Sequence, residues 1–289
     1  MTTPPAPAPL DWRGAALQRA VAPHCPGLEF QVLAQVDSSN TRLLDVIRSS
    51  AEPRHAPLLL VAEHQSSGRG RQGRRWVSQH GASLTFSLGW PLQAHDLSGL
   101  SLAVGVALAD ALDPHAGGAP RIVLKWPNDL WLLDATPSSG QVDAAPGRKL
   151  GGILIETLHR GTQRFAVIGI GLNIRPVAVD EPSSGVACLQ EVDPSLDAPR
   201  ALHRVAPPLV RALREFESAG FAAFTAGYRD RDLLFGREVR AGTLDGVADG
   251  VAANGALRLR RPEGVQIIVA GEVSVRLTDT GAAPRPVPC

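Results

Sequence analysis

Residues 68–76 read Gly-Arg-Gly-Arg-Gln-Gly-Arg-Arg-Trp, with four arginines and three glycines in nine positions. Arginine presents a planar fork of donors that matches carboxylate and phosphate oxygens. Glycine lets the backbone approach a ligand closely and turn where a side chain would clash. A segment with both is suited to closing over an anion, and ordering it costs chain entropy that a ligand must offset. The same composition also suits a solvated basic loop that binds single-stranded RNA. Two nucleotide signatures are excluded. No Gly-Lys-Ser/Thr follows the glycines, so this is not a P-loop. Gly68, Gly70 and Gly73 have Gly-x-Gly-x-x-Gly spacing, but charged residues follow them where a Rossmann fingerprint needs the apolar start of a helix.

Lys125 and Lys149 are the only lysines among 29 basic residues. Where arginine supplies every other positive charge, two surviving lysines mark positions that call for a compact ammonium on a flexible stem; chance survival on the surface is the plain alternative. Lys125 opens Lys-Trp-Pro-Asn-Asp and Lys149 opens Lys-Leu-Gly-Gly-Ile-Leu-Ile-Glu. A third polar cluster, Asp37-Ser38-Ser39-Asn40, precedes an amphipathic run. Any of its members can cap a helix. The free N–H groups and hydroxyls of such a helix start can equally hold polar ligand atoms.

The elements that position these residues follow from periodicity and turn chemistry. Residues 11–25 suit a short helix, 28–36 a strand, and the run from Asn40 a second helix. Residues 58–63 form an apolar strand that runs into the arginine–glycine loop, and 82–90, where Ser and Thr alternate with Leu and Phe, read as its hairpin partner. Helix is expected over 97–112. A strand over 121–125 stops at Trp126-Pro127, where proline removes a ladder donor, and resumes over 130–133. Strands follow at 149–156 and 165–173. Residues 134–148, rich in Pro, Ser, Gly and Ala, read as a mobile surface loop. Helix is expected over 198–226, broken or kinked at Pro207-Pro208. Beyond residue 234 the texture changes to short strands at 238–241, 247–252, 256–259, 265–269 and 273–277, with Asn254-Gly255 as a hairpin turn.

Length allows one large domain plus a small one. Net charge is only +1, which argues against a general nucleic-acid binder. No apolar run approaches a membrane span. The Pro/Ala-rich first ten residues have no basic start and no apolar core, so they read as a tail and not as a signal peptide. Cys25, Cys188 and Cys289 are few, odd in number and far apart, which gives no metal spacing or disulfide framework and suits a cytoplasmic protein.

Taken in order, Asp37-Ser-Ser-Asn40, Gly68-Arg-Gly-Arg-Gln-Gly-Arg-Arg-Trp76, Lys125-Trp-Pro-Asn-Asp129, Lys149-Leu-Gly-Gly-Ile-Leu-Ile-Glu156 and Gly169-Ile-Gly-Leu-Asn173 resemble the motifs of a biotin protein ligase (biotin–[acetyl-CoA-carboxylase] ligase). The resemblance runs from about residue 30 to 277. It implies an α+β fold: a catalytic domain over 11–232 with a mixed β-sheet and flanking helices, of the class II synthetase-like biotin/lipoate ligase type. A small C-terminal β-barrel over 233–279 follows, between tails at 1–10 and 280–289. The implied activity makes biotinyl-5′-AMP from biotin and ATP with Mg²⁺. Biotin is then passed to one lysine of a biotin carboxyl carrier protein. The family also admits a homodimer. Some members carry an N-terminal helix-turn-helix and act as repressors. Here about 36 residues precede the Asp-Ser-Ser-Asn motif, too few for that module and a linker, so no DNA partner and no membrane partner is expected.

Roles follow by motif. Ser38, Ser39, Asn40 and Gln65 are expected at the ureido end of biotin, where a buried neutral group needs paired donors and acceptors. Gly68, Arg69, Gly70 and Arg71 are expected around biotin and its carboxylate, and Arg71 and Arg74 at the ATP phosphates, with loop closure excluding water from a mixed anhydride. Trp76 is expected to stack on adenine, with a core tryptophan as its alternative. Asn128 and Asn173 are expected at the nucleotide. Lys149 should bridge the biotin carboxylate and the α-phosphate, neutralising charge as they combine. Lys149, Arg69 and Asp129 form the catalytic set. Asp129 is open between holding Mg²⁺, orienting or deprotonating the carrier lysine, and capping a turn. Lys125 is open between a structural and a phosphate-steering role. The resemblance assigns no metal ligands. Two departures are visible: the usual Asp-Ser-Thr-Asn is Asp-Ser-Ser-Asn, which keeps the hydroxyl and drops a methyl, and residues 134–148 are longer than the family's usual connection before Lys149. Lipoate and octanoate ligases share the fold and the adenylate chemistry, but a pocket of Ser38, Ser39, Asn40 and Gln65 suits a ureido ring better than a plain acyl chain.

Overall fold

The strand that carries Ser83, Thr85 and Ser87 alternates them with Leu84, Phe86, Leu88 and Trp90, and a sheet with two covered faces is built around that alternation. The computed structural model describes residues 8–50, 56–93, 96–114, 119–134, 147–176, 185–269 and 275–277. Seven strands form a mixed sheet in the order β1-β2-β3-β7-β6-β5-β4. They are β1 (Glu29–Leu33), β2 (Leu58–Ala62), β3 (Ser83–Leu92), β4 (Ile122–Lys125), β5 (Asp129–Leu133), β6 (Gly147–Arg160) and β7 (Gln163–Asn173). β1 and β2 pair parallel and every other neighbour is antiparallel.

One face of the sheet carries Leu84, Phe86, Leu88 and Trp90 of β3 with Ala166, Ile168, Ile170 and Leu172 of β7, all in the main core. Helices α1 (Gly14–Val21), α3 (Leu100–Leu112) and α4 (Ala198–Ala219) contribute their apolar residues to the same core. On the other face α2 (Ser39–Ser49) lays Leu43, Leu44 and Ile47 on Phe165 and Val167 of β7. The side chains that alternate with the core set therefore emerge beside the start of α2. They are Ser83, Thr85 and Ser87 on β3 and Gly169 and Gly171 on β7.

Three expectations are corrected. Residues 130–133 do not resume the strand that ends at Lys125: β4 and β5 fold into a hairpin, with Lys125 opposite Asp129 and Trp126-Pro127-Asn128 as its turn. The hairpin buries Trp126 and turns Asp129 back toward the site. Helix α4 runs unbroken through Pro207 and Pro208. Both prolines lie on its half-buried side, while Leu202, Val205, Leu209 and Leu213 are buried around them. That burial outweighs the helix hydrogen bonds the prolines cannot donate. The helical pattern also ends early: α4 stops at Ala219, and a 3-10 turn leads into α5 (Thr225–Asp230). Of the expected loop over 134–148, residues 135–146 lie outside the described residues, as do 1–7 of the first expected tail and all of the second. Residues 8–10 are tied down, since the Leu10 N–H donates to Glu63 and the Ala8 carbonyl meets His80.

The C-terminal unit is a separate antiparallel sheet in the order β11-β10-β9-β8-β12. Its strands are β8 (Glu238–Ala241), β9 (Leu244–Val251), β10 (Leu257–Arg261), β11 (Gly264–Ile268) and β12 (Val275–Leu277). The Asn254–Gly255 turn joins β9 to β10 as expected. Gly255 has φ +78, and its carbonyl accepts from the Trp126 indole at 3.0 Å, which fixes the small domain against the hairpin turn that borders the site.

Candidate active site

The polar end of the site is built on the start of α2. Ser38 is its N-cap, accepting from the Thr41 N–H at 3.4 Å. Ser39 donates its backbone N–H to Gln65 Oε1 at 2.7 Å, and the Gln65 N–H donates to Ser78 Oγ at 2.7 Å. Ser87 Oγ lies 2.7 Å from Ser39 Oγ and 2.6 Å from Asn40 Oδ1. The Asn40 amide nitrogen donates to the Leu154 carbonyl and to Glu156 Oε2. Ser38, Ser39, Asn40, Gln65 and Ser87 are all buried. Burial without partners costs a polar group about 1–3 kcal/mol; here each of these residues has at least one partner in the network, which fixes its orientation. Gly169 is required opposite Asn40, because a Cβ there would sit 2.2 Å from Asn40 Oδ1.

The arginine loop folds back on itself. Arg69 bridges Arg75, Gly70 N–H donates to the Arg74 carbonyl at 2.7 Å and Trp76 N–H to the Gly68 carbonyl at 2.8 Å. Gly73 takes a positive φ of +70, where a side chain would be strained. Arg71 donates to Asn128 Oδ1 at 3.2 Å, while Asn128 Nδ2 donates to the Ile153 carbonyl, so the loop is tied through Asn128 to β6. Burial lowers the Arg71 pKa; Asp129 opposes that shift and Arg74 adds to it. Trp76 packs directly against Gly171, where a Cβ would be 2.4 Å from the indole. Its Nε1 is buried with no partner among the described residues.

Lys149 reaches the site because β6 is bulged. The β5–β6 register shifts between Leu130 and Trp131, which pair with Gly151 and Lys149 and leave Leu150 over. One extra residue reverses the strand's alternation. Leu150 and Ile153 both enter the core, while Lys149 and Gly152 share the site face. There Lys149 Nζ donates to Asp129 Oδ1 at 2.7 Å. Lys125 lies 4.7 Å over the Trp131 ring. Its pKa is lowered mainly by burial, against Asp129; Lys149, Arg74 and Arg276 lower it further.

One cleft gathers Ser38, Ser39, Asn40 and Gln65 with Arg69, Gly70, Arg71, Arg74 and Trp76, and with Asn128, Asp129 and Lys149. Two expected residues stand outside its lining. Gly68 packs against the Trp76 carbonyl and Gln65, with no room for a Cβ. Asn173 is buried and donates to the Ala187 carbonyl at 3.1 Å. Sequence reasoning missed Ser87 and Thr85, visible only as alternation in a strand, and Glu156, which closed a quoted motif without a role. It also missed Val275, which brings the small domain to the cleft; nothing in a three-residue strand signals that. Asp129 is the one carboxylate among the described lining residues and it is paired with Lys149. The described residues hold no cluster of three His, Cys, Asp or Glu side chains. This donor set does not fit a protein-held Mg²⁺.

Comparison with known proteins matches both parts of the chain to one family. The Biotin/lipoate A/B protein ligase family matches residues 32–173, and the Biotin protein ligase C terminal domain matches 234–276. The chain is 35% identical over 254 residues to the bifunctional ligase/repressor BirA of Salmonella typhimurium, covering 85% of this chain and 73% of that one. It is 32% identical over 254 residues to a biotin–[acetyl-CoA-carboxylase] ligase of Paracoccus denitrificans, covering 84% of this chain and 98% of that one. Among solved structures, the biotin protein ligase from Aquifex aeolicus in complex with biotin and ATP superposes with a TM-score of 0.68 at 26% identity, over 86% of this chain and 99% of that one.

Proposed function

This chain belongs to the biotin protein ligase family, and from that premise we propose that it joins biotin to ATP as biotinyl-5′-AMP and passes the biotin to a lysine of a biotin carboxyl carrier domain. The observation that carries the reading is the position of the Lys149–Asp129 pair. It lies in one cleft with a neutral, hydrogen-bonded pocket and a cluster of arginines. The pocket of Ser38, Ser39, Asn40 and Gln65 suits an uncharged ureido ring. Arg71 and Arg74 suit the phosphates. Trp76, packed against Gly171 with an indole N–H unpartnered among the described residues, suits a planar base.

The first step is attack of the biotin carboxylate on the α-phosphorus, with pyrophosphate leaving. Lys149 neutralises the two anions as they approach. To do so it gives up Asp129, and the freed carboxylate is placed to take the proton of the carrier lysine, which must be neutral to attack the acyl carbon. Lysine release and base activation are thus linked through one 2.7 Å contact. Mg²⁺ enters as part of the MgATP substrate, and no step here is routed through it. Asn173 acts from behind the cleft, and its nucleotide role is indirect.

The described helices include none long and apolar enough to cross a membrane. The test is pyrophosphate release from ATP with biotin, lipoate or octanoate supplied separately, then mass spectrometry of an added carrier domain. Biotin-dependent release and a biotin-sized mass gain on the carrier are expected. Release with lipoate or octanoate alone would overturn the specificity.

A further inference from the structure

We infer that Glu156 is the positioning residue that couples the neutral pocket to closure of the arginine loop, one carboxylate oxygen serving each. Glu156 Oε2 accepts from Asn40 Nδ2 at 3.0 Å, and Oε1 accepts from Arg69 Nη2 at 3.0 Å. With the Leu154 carbonyl, it occupies both amide hydrogens of Asn40, so Oδ1 is turned toward Ser87 and the cleft. The amide cannot be reversed without setting its NH₂ against the Ser87 hydroxyl arrangement and two acceptors against each other. The inference rests on the biotin ligase reading for its substrate and on geometry alone for its mechanics.

Arg69 is the other arm. Its Nη1 lies 3.4 Å from Thr41 Oγ1, in the first turn of α2. That turn holds no acidic residue, so the guanidinium faces the positive end of a helix with Glu156 as its counter-charge. Arg69 in turn bridges Arg75, so holding Arg69 holds the base of the whole hairpin loop. The ion pair is half-exposed at Arg69. Pairs of that kind are weak and reversible, which suits a latch opened at every turnover better than a stabilising strut. A ligand atom that engages Asn40 Oδ1 tightens the orientation that Glu156 supports, and the same carboxylate fastens the loop. Arg69 then serves adenylate retention through Glu156.

The test uses the full chain with Glu156→Gln, which keeps size and one acceptor but removes the charge, together with Arg69→Ala and the double variant. Without any ligand, limited trypsin cleavage after Arg71, Arg74 and Arg75 should become up to about fivefold faster in either single variant, the ceiling for a half-exposed ion pair. The double variant should be no faster, because the two residues form one contact. With biotin and ATP, Glu156→Gln should raise KM for biotin about tenfold and speed escape of biotinyl-AMP from the isolated complex. Cleavage at the wild-type rate, additive single effects, or a loss in kcat alone would each overturn the latch. The cleavage assay needs no biotin, so an inactive wild-type enzyme would defeat the ligase reading while leaving this result to stand or fall by itself.

Discussion

The two ends of the cleft are made in opposite ways. The pocket at the start of α2 is neutral and buried, and its side chains are cross-bonded through Ser87, Gln65 and Glu156 before any ligand arrives. The other end is cationic and hinged on glycine, with Arg74 and Arg75 exposed and Lys125 and Arg71 held at lowered pKa by burial. A neutral substrate end is recognised by a fixed pattern of donors and acceptors, and that requires preorganisation. An anionic end that changes charge during reaction is served by groups that can exchange partners, the part proposed for Lys149, which is held by Asp129 at 2.7 Å. Rigidity at one end and exchangeable charge at the other divide recognition from chemistry.

The comparison breaks first at Lys149. Lys149→Ala should cut biotin-dependent pyrophosphate release by roughly 10²–10³-fold, with KM for biotin little moved, because the loss falls on the reacting anions. A comparable rise in KM with normal kcat would place Lys149 on the recognition side. Asn40→Ala should do the reverse, raising KM for biotin roughly 10–100-fold by leaving Ser87 and Glu156 without their shared partner. Steady-state kinetics with biotin varied at saturating ATP separates the two.

The division was only half legible in the chain. Residues of the quoted motifs converge because their types carry the chemistry, and Arg71, Trp76, Asn128 and Lys149 all line one cleft. What brings them there was hidden. The alternation of 149–156 gives no sign of the bulge at Leu150 that turns Lys149 to the site, since a bulge is a property of two paired strands. Pro127 was read as an interruption and is the turn of a hairpin. Pro207-Pro208 was read as a break or a kink, and the break does not occur, because tertiary burial on both sides overrides the local preference. Ser87 carries no motif, and its function exists only opposite Asn40.

Smaller effects sharpen the contrast. Lys125→Met should raise KM for ATP up to about fivefold by removing a cation from the arginine end of the cleft, while making the unliganded protein more stable. The sign follows from the lowered pKa. The folded state holds the Lys125 ammonium less readily than the unfolded chain does, so wild-type stability carries a penalty at neutral pH that is relieved as pH rises toward the ordinary lysine value. The stability gain of the variant should therefore shrink as pH rises toward that value. Urea titrations at pH 7 and pH 10 measure it, and an equal gain at both would remove burial of charge as the cause.

Asp232 supplies the matching case with no ligand to serve. It is buried beside Tyr228 where the segment after α5 leads into the small domain, with Oδ2 unpartnered among the described residues. Burial pushes its pKa up to about 6 from 3.8. The unfolded carboxyl ionises first, so the folded state loses stability as pH rises from about 4 to 6, and the full penalty is in place above that. Asp232→Asn removes the ionisation. Relative to wild type, its unfolding free energy should gain about 1–3 kcal/mol between pH 4 and pH 7.5, with kinetic constants for biotin and ATP unmoved. Parallel pH profiles for the two proteins would show that Asp232 is neutral or stably paired. If the kinetic constants move with the stability, buried charge next to the small domain is not separable from catalysis. The penalties at Lys125 and Arg71 would then be a general feature of this fold, with no special bearing on its anionic end.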